Sequence, residues 1–195
     1  MILFQWSVWE LIDIIVMTLA VGYIFHDVFR VRPLHSVDPL LHLRKAFMWN
    51  DFWFACSVVA PAIILHEIGH KITALSFGLS ATFQAAYLWL LIGIVLKLLN
   101  FGFIFFVPAF VSISGNATPL QGSLVALAGP GVNFVLWLGS WIIIKNASAL
   151  KLSSRSRYYF TLTKQINLFL FIFNMLPIPL FDGWTVYSGL FKTFF

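Results

Sequence analysis

The sequence predicts an all-α polytopic membrane protein, a helical bundle with one membrane-embedded, β-rich re-entrant segment. Of its 195 residues, 61% are hydrophobic and 10% are charged, and the mean hydropathy is +0.93. Average soluble domains are about 45–50% apolar and about 25% charged, so a soluble fold of this size could not bury so much apolar surface. The apolar residues also form runs of about 20, the length that a membrane helix requires.

The net charge of +5 comes from twelve Lys and Arg residues against seven acidic residues. Most of the basic residues lie in two polar joints between apolar runs, at 26–52 and 145–164, which is where membrane proteins carry them. This placement accounts for the positive charge without a nucleic-acid partner, and none is expected. The expected surroundings are the lipid bilayer, and we predict an integral, multi-pass protein of the cell membrane.

The N-terminal apolar run, residues 3–25, is the first predicted span. The chain enters it without the basic segment and the small-residue cleavage site of a signal peptide, so the span is expected to be retained. Glu10 and Asp13 interrupt the run and are expected to face protein or to lie near an interface. Residues 1–52 are predicted to form an N-terminal helix and basic joint, and residues 53–195 the membrane core.

The predicted core contains helices at 53–75 and 123–144 and a last helical region at 165–195, which the segment NMLPIPLFDG interrupts. Residues 76–83 are expected to form a short joint. In the region 84–115, YLWLLIGIVLKLLN has helical character, whereas FGFIFFVPAFVSISG is rich in aromatic and β-branched residues and suits short strands. Irregular backbone is tolerated at membrane depth only where protein or water covers it.

The two basic joints also constrain the topology. Both should lie on one side of the membrane if they follow the same charge rule. Helices 53–75 and 123–144 each cross once, so the segment between them must cross an even number of times or not at all. Region 84–115 is therefore a re-entrant hairpin or a helix pair, and the strand-like second half favours the re-entrant form.

The pentapeptide HEIGH at 66–70 matches the pattern H-E-x-x-H. His66 and His70 are spaced i and i+4, so on a helix they share one face and can hold one Zn²⁺. Glu67 is close enough to act as a general base on a water that the metal activates. Short patterns do arise by chance, but these three side chains inside an apolar helix would each carry a desolvation cost without a partner. The sequence therefore predicts one zinc ion per chain.

A third metal ligand must come from elsewhere, because catalytic zinc usually takes three protein ligands and leaves the fourth position open. Asp182 is the acidic residue embedded in the later apolar part of the chain. Pro177 and Pro179 break the helix before it, and Gly183 is expected to permit a turn directly behind it. The competing interpretation is that Asp182 caps a short C-terminal helix.

The expected depths of these residues agree. If helix 53–75 runs from the basic side to the far side, both histidines lie in its second half, and the parallel stretch from residue 165 brings Asp182 to a similar level. Helix 123–144 runs the opposite way, which places Asn133 about 15 Å from its start at a rise of 1.5 Å per residue. Asn133 is therefore expected to meet the histidines and Asp182.

HEIGH at 66–70, AGPGVN at 128–133 and NMLPIPLFDG at 174–183 resemble, in order and spacing, the three signature segments of the site-2 protease family of intramembrane zinc metalloproteases. Phe181 stands where the family usually has Leu. The resemblance would cover residues 50–190, and it implies a membrane-embedded β-rich segment between the first two motifs. It also implies three zinc ligands (His66, His70, Asp182), a catalytic base (Glu67), and two residues that hold the substrate or the tetrahedral intermediate (Asn133, Asn174).

The function implied by this resemblance is hydrolysis of peptide bonds within or near transmembrane segments of membrane protein substrates. A substrate helix must unwind before it can be cut, and a strand in 101–115 is a candidate to pair with the unwound segment. The family's zinc site normally lies toward the cytosol, which would place both basic joints outside and against the charge rule. The orientation therefore stays open, as do the substrate and the oligomeric state.

Two other functions remain as alternatives. One is a catalytically inactive relative that binds membrane helices, although such a protein would be expected to lose a metal ligand or the base. The other is a membrane metal transporter, although helices 123–144 and 166–181 offer few polar residues to line a path.

Overall fold

The computed structural model describes residues 6–29, 48–101 and 107–195. Within these residues the fold is helical with one small two-stranded sheet, which confirms the predicted class. The elements in chain order are α1 (Val8–Phe25), α2 (Trp49–Ser76), β1 (Ser80–Ala85), α3 (Tyr87–Leu98), β2 (Ala109–Ser114), α4 (Pro119–Lys145), α5 (Ser154–Asn174) and α6 (Asp182–Phe194).

Three of the described helices, α1, α2 and α4, are long and apolar enough to cross a membrane. Their outer faces expose large apolar side chains such as Trp9, Ile72 and Trp141. Apolar surface of this extent is unfavourable in water and suits contact with lipid. The protein is therefore a membrane protein.

Local capping signals explain where two of the long helices begin. Ser7 accepts a hydrogen bond from the backbone of Glu10, whose side chain accepts in return from the backbone of Ser7. Thr118 and Gln121 form the same reciprocal pair at the start of α4, and Pro119 occupies the first helical position. Both pairs satisfy amide groups that have no partner within the helix.

The C-terminal third differs in part from the sequence prediction. The joint expected at 145–164 ends early, because α5 already begins at Ser154, where Ser153 caps it by accepting from the backbone of Ser156. The region expected at 165–195 is divided between α5 and α6, with a turn between them that contains Pro177 and Pro179. These prolines cannot continue the hydrogen-bond pattern of a helix.

The sheet lies between α2 and α4 in the sequence. Strands β1 and β2 are antiparallel, with Ser80 opposite Ser114 and Ala85 opposite Ala109. The strand predicted in 101–115 is thus present at Ala109–Ser114, and the helix predicted from residue 87 is α3, whereas 102–106 lie outside the described residues. The segment between the strands therefore begins and ends at the same end of the sheet, where Ala85 lies opposite Ala109.

The joint expected at 76–83 is shorter than predicted, because α2 ends at Ser76 and β1 already begins at Ser80. Successive side chains of β1 alternate between exposed and buried positions, which is the period of a strand with one covered face. The buried members, Ala81, Phe83 and Ala85, pack into the apolar core. So short an alternation, made largely of small and polar residues, is a weak signal until β2 supplies the pairing.

Contacts between α2 and α5 show which segments lie at the same end of the helical bundle. Phe54, near the start of α2, stacks on Tyr158 near the start of α5, with ring centroids 5.6 Å apart. The hydroxyl of Tyr159 donates to the carbonyl of Ser57. The start of α2 and the joint between α4 and α5 therefore lie at one end, as the charge pattern predicts; residues 30–47 of the first joint lie outside the described part.

Candidate metal centre

Three donor atoms converge where α2 meets the start of α6. Nε2 of His66 and Nε2 of His70 are 3.0 Å apart. Oδ2 of Asp182 lies 3.2 Å from the first and 3.4 Å from the second. Both histidines are buried and Asp182 is half-buried. The structure therefore brings together the three residues that the sequence predicts as metal ligands.

This arrangement fits a zinc ion. Two ligands at about 2.0–2.1 Å from a tetrahedral ion lie about 3.3–3.4 Å from each other, and the observed separations run from 3.0 to 3.4 Å. Two imidazole nitrogens and one carboxylate oxygen are also a ligand set of catalytic zinc, in which the fourth position stays open.

Glycines from two motifs make room for these donors. A Cβ atom at Gly129 of α4 would lie 2.3 Å from Nε2 of His70 and 2.7 Å from Nε2 of His66. A Cβ atom at Gly69 of α2 would lie 2.8 Å from the carbonyl oxygen of Ala128. Small residues of this kind let membrane helices approach closely. The glycines therefore bring α4 against the metal-binding face of α2.

The other ring nitrogen of each histidine is held by α4. Nδ1 of His66 lies 2.6 Å from Oδ1 of Asn133, and Nδ1 of His70 lies 2.7 Å from the carbonyl oxygen of Val125. Both partners are acceptors, so each Nδ1 carries a hydrogen, and each neutral ring then has its Nε2 lone pair available for a metal. Partners of this type fix the tautomer and ring orientation of metal-binding histidines.

Asn133 belongs to a buried chain of amide groups. Its Nδ2 donates to the carbonyl of Ala62 at 3.0 Å and to Oδ1 of Asn167 at 2.9 Å, and Nδ2 of Asn167 donates to the carbonyl of Thr163. Both asparagines are 0% exposed. The depth of Asn133 is predictable from the sequence, whereas Asn167 was not among the predicted site residues. The signal for Asn167 is a single amide in the apolar stretch of α5, where burial requires hydrogen-bond partners.

Asp182 reaches the histidines through a tight turn before α6. Leu180 has a positive φ of 83°, and the first helical residue is Asp182 itself. The expectation that Gly183 forms a turn was wrong: Gly183 lies in the first turn of α6, and a Cβ atom there would lie 2.5 Å from the carbonyl of Met175. The helix begins without a side-chain cap, so the carboxylate of Asp182 serves the histidines and not the helix end.

Glu67 stands between two cavities. One has a volume of about 310 Å³ and is lined by the three candidate ligands together with residues of β2 and α4. The other is apolar, has a volume of about 430 Å³ and is lined mainly by α2 and α5. Six of the described residues line both cavities: His66, Glu67, Val107, Ala109, Asn174 and Phe181. Asn174 is therefore placed beside the spaces that a ligand could enter, whereas Asn133 is enclosed by protein.

The proteins to which this chain is similar are consistent with a zinc site at this position. No protein-family model and no solved structure match the chain. "Putative zinc metalloprotease MJ0611" of Methanocaldococcus jannaschii is 34% identical over 184 residues, which cover 94% of this chain and 85% of the relative. The similarly named YwhC of Bacillus subtilis is 34% identical over 36% of this chain and 35% of its own length. The similarly named sll0528 of Synechocystis is 31% identical over 66% of this chain and 29% of its own length. The chain therefore belongs to this family of zinc metalloproteases, and its cofactor is zinc.

Proposed function

We propose that this metalloprotease is an intramembrane enzyme of the site-2 protease family, which hydrolyses peptide bonds within or near transmembrane segments of membrane proteins. The observation that carries the proposal is the position of the ligands. His66, His70 and the neighbouring Glu67 lie on a helix that is long and apolar enough to cross a membrane, and the third ligand, Asp182, closes on them from α6. A multi-pass protein of the cell membrane follows from this proposal.

The chain's own residues would hold the metal through three atoms: Nε2 of His66, Nε2 of His70 and Oδ2 of Asp182. Bound zinc supplies Lewis-acid chemistry, since it polarises a carbonyl oxygen and lowers the pKa of a water to about 7. Asn133 and the carbonyl of Val125 keep both imidazole rings turned toward the ligand position. Helices α2 and α6 thus carry the ligands, and α4 supplies the groups that orient the two histidines.

Glu67 is the general base of the proposed reaction. It is adjacent in sequence to His66, is 7% exposed, and borders both cavities. In this position it accepts a proton from the attacking water and returns it to the amine that leaves when the peptide bond breaks. Its burial keeps bulk water away from the proton transfer.

Strand β2 is the proposed docking edge for substrate. Ala109, Phe110 and Val111 of β2 line the same cavity as Glu67, and among the described strands β2 pairs with β1 alone. An unwound substrate segment can therefore add to the sheet as a further strand, with main-chain hydrogen bonds supplying affinity. This would hold the scissile bond extended beside the metal ligands.

The two asparagines of the motifs take different parts in the proposed mechanism. The amide hydrogens of Asn133 are engaged by Ala62 and Asn167, so its contacts support an orienting role for His66 and not a direct contact with substrate. Asn174 borders both cavities. It is therefore the side chain we assign to a substrate carbonyl, where one hydrogen bond to a developing oxyanion is worth about 2.7–4 kcal/mol.

A reconstituted assay tests the proposal. The full chain is incorporated into lipid vesicles with a labelled model transmembrane protein, and products are mapped by mass spectrometry. We expect the wild type to cut within or near the membrane segment and a chelator to stop it. Glu67→Gln should lower the rate by about 10²–10⁴-fold, the usual contribution of a general base, while the zinc content stays the same.

Each other outcome points elsewhere. Full activity in the Glu67→Gln variant would show that Glu67 is not the base. Binding of the substrate without cleavage by the zinc-loaded wild type would indicate an inactive relative, and zinc uptake into the vesicles would indicate a transporter. Cleavage of soluble peptides alone would leave a metalloprotease that does not act within the membrane.

A further inference from the structure

Glu10 of α1 makes a set of contacts that the metal centre does not use. It is 3% exposed. Its Oε1 accepts from Nζ of Lys71 and, at 2.7 Å, from the backbone N–H of Phe83, while its Oε2 accepts from the backbone N–H of Ser7. One carboxylate therefore joins the first turn of α1 to the metal-binding helix α2 and to strand β1.

Lys71 anchors this cluster beside the metal centre. It directly follows His70 in the chain and is 2% exposed, and its Nζ lies 4.2 Å from the centroid of the Trp6 ring. A buried charge that loses its partner is strongly destabilising. The ion pair therefore fixes α1 against α2 one residue away from a zinc ligand.

The hydrogen bond from Phe83 to Glu10 is made at an edge of the sheet, on strand β1. Phe83 lies opposite Val111 in the register of β1 and β2, yet its N–H donates to Glu10. That N–H therefore marks the edge of β1 that faces away from β2. An open strand edge is a template on which another strand can pair. Glu10 satisfies this N–H and covers this part of the β1 edge, whereas β2 borders the cavity that contains Glu67.

We propose that Glu10 is a positioning residue for proteolysis, which closes the outer edge of β1 and holds the sheet against α2 so that substrate adds along β2. The inference rests on the proposed proteolytic function and on substrate pairing with β2. Glu10 itself lines neither cavity, and its side-chain hydrogen bonds go to Ser7, Lys71 and Phe83 and not to the candidate metal ligands. Its effect is on where an extended substrate lies relative to Glu67, and therefore on substrate binding more than on the chemical step.

Three variants separate the strand contact from the ion pair. Glu10→Asp keeps the negative charge, and the flexible side chain of Lys71 can move to keep the ion pair. The shorter side chain, however, no longer extends far enough to accept from the backbone amide of Phe83. Glu10→Gln with Lys71→Met removes both charges and keeps a carbonyl acceptor for that amide. Glu10→Leu with Lys71→Met removes the charges and the acceptor together.

A matched control comes from the other end of α1. Asp27, two residues beyond the end of α1, accepts from Nζ of Lys97 on α3. Asp27→Asn breaks this ion pair, whose partner lies on α3 and not on the sheet or α2. We expect this variant to keep the kinetic constants and the exchange rates of the wild type.

The measurements are steady-state cleavage of the model transmembrane substrate by the full chain, zinc content, and hydrogen–deuterium exchange of residues 80–85. We expect Glu10→Asp and the Leu–Met pair to raise KM and to speed this exchange, each by roughly 5- to 100-fold, the effect of leaving one buried amide unpaired. Their kcat and zinc content should stay near the wild-type values. The Gln–Met pair should restore KM and protection.

Wild-type KM and wild-type exchange in both Glu10→Asp and the Leu–Met pair would overturn the inference. A parallel loss of zinc, kcat and KM would also overturn it, because the role would then be general stability. If the Leu–Met pair does not fold, Glu10→Asp carries the test. If the wild type cuts no membrane substrate, the proposed function fails, and the exchange rates still decide whether Glu10 closes the strand edge.

Discussion

At the scale of single residues, two glycines of one motif differ in how closely they pack against the candidate metal ligands. A Cβ atom at Gly129 would lie within 2.3 Å of His70, whereas one at Gly131 would have nothing within 4 Å. The two residues look equivalent in AGPGVN, because both combine small size with a place beside Pro130. Only the packing of α4 against α2 distinguishes them.

Gly129→Ala should therefore impair zinc binding, and Gly131→Ala should not. The added methyl group at residue 129 must displace the imidazole of His70 or the backbone of α4. We expect this to weaken zinc binding at least about tenfold, because mutation of residues that support metal ligands typically has an effect of this size. Competition with a coloured chelator measures the affinity. Equal affinities in the two variants would contradict the packing described here.

Asn133 and Asn167 show what can and cannot be predicted at this scale. The depth of Asn133 follows from helix direction and a rise of 1.5 Å per residue, and its contact with His66 confirms it. Nothing in the sequence says that Asn167 is the partner of its amide hydrogens. That pairing depends on the rotation of α5 about its own axis, which packing against α2 and α4 sets.

At the scale of elements, α6 is held against α4 by a close contact far from its metal ligand. The hydroxyl of Ser123 lies 3.1 Å from the carbonyl oxygens of both Pro119 and Val186. A Cβ atom at Gly189 would lie 2.2 Å from that hydroxyl and 2.6 Å from the carbonyl oxygen of Pro119. Because Asp182 is the first residue of the same helix, displacement of α6 moves the third candidate ligand.

We expect Gly189→Ala to weaken zinc binding although residue 189 is two helical turns from Asp182. The backbone carbonyl of Pro119 cannot turn aside as a side chain would, so α6 must shift. Zinc titration measures the effect, and circular dichroism should show an unchanged helix content. Gly139→Ala is the control, because nothing lies within 4 Å of a Cβ atom there; the same loss in that variant would contradict the explanation.

The elements that local sequence patterns predict least well are β1 and the start of α5. The strand SATFQA has little β-branched character and depends on pairing with β2 and on the Glu10 contact to Phe83. The first turns of α5 are polar and resemble a joint, but Tyr158 and Tyr159 pack on Phe54 and extend the helix. Tertiary contacts outweigh local propensity in both cases.

At the scale of the whole molecule, the metal centre connects residues that are far apart in the chain. His66 and His70 lie on α2, whereas Asp182 begins the last helix. A ligand that binds the folded chain and not the unfolded one stabilises the fold by mass action. The zinc ion should therefore contribute to the stability of the bundle as well as to catalysis.

Removal of zinc with a chelator should lower the Tm of the wild type by on the order of 5–10 °C. A ligand at 100 times its Kd contributes about 2.7 kcal/mol, and each kcal/mol is worth about 2–4 °C in a chain of this size. Thermal unfolding in detergent micelles, with and without chelator, measures the shift. The double variant His66→Ala/His70→Ala is the control, and a shift of similar size in it would show that the chelator acts elsewhere.

The sequence by itself determined the membrane class, the helix that carries HEIGH, and the three candidate metal ligands that the structure brings together. Composition and an i, i+4 spacing are local properties, and two prolines before an embedded aspartate limit where that residue can go. Only the tertiary structure decided the pairing of β1 with β2 and the partners of Glu10. It also decided that Gly129, and not Gly131, packs against the histidines, and that Asn133 is enclosed beside His66. Each of these depends on which faces of distant helices meet, and that is settled by packing across the whole chain.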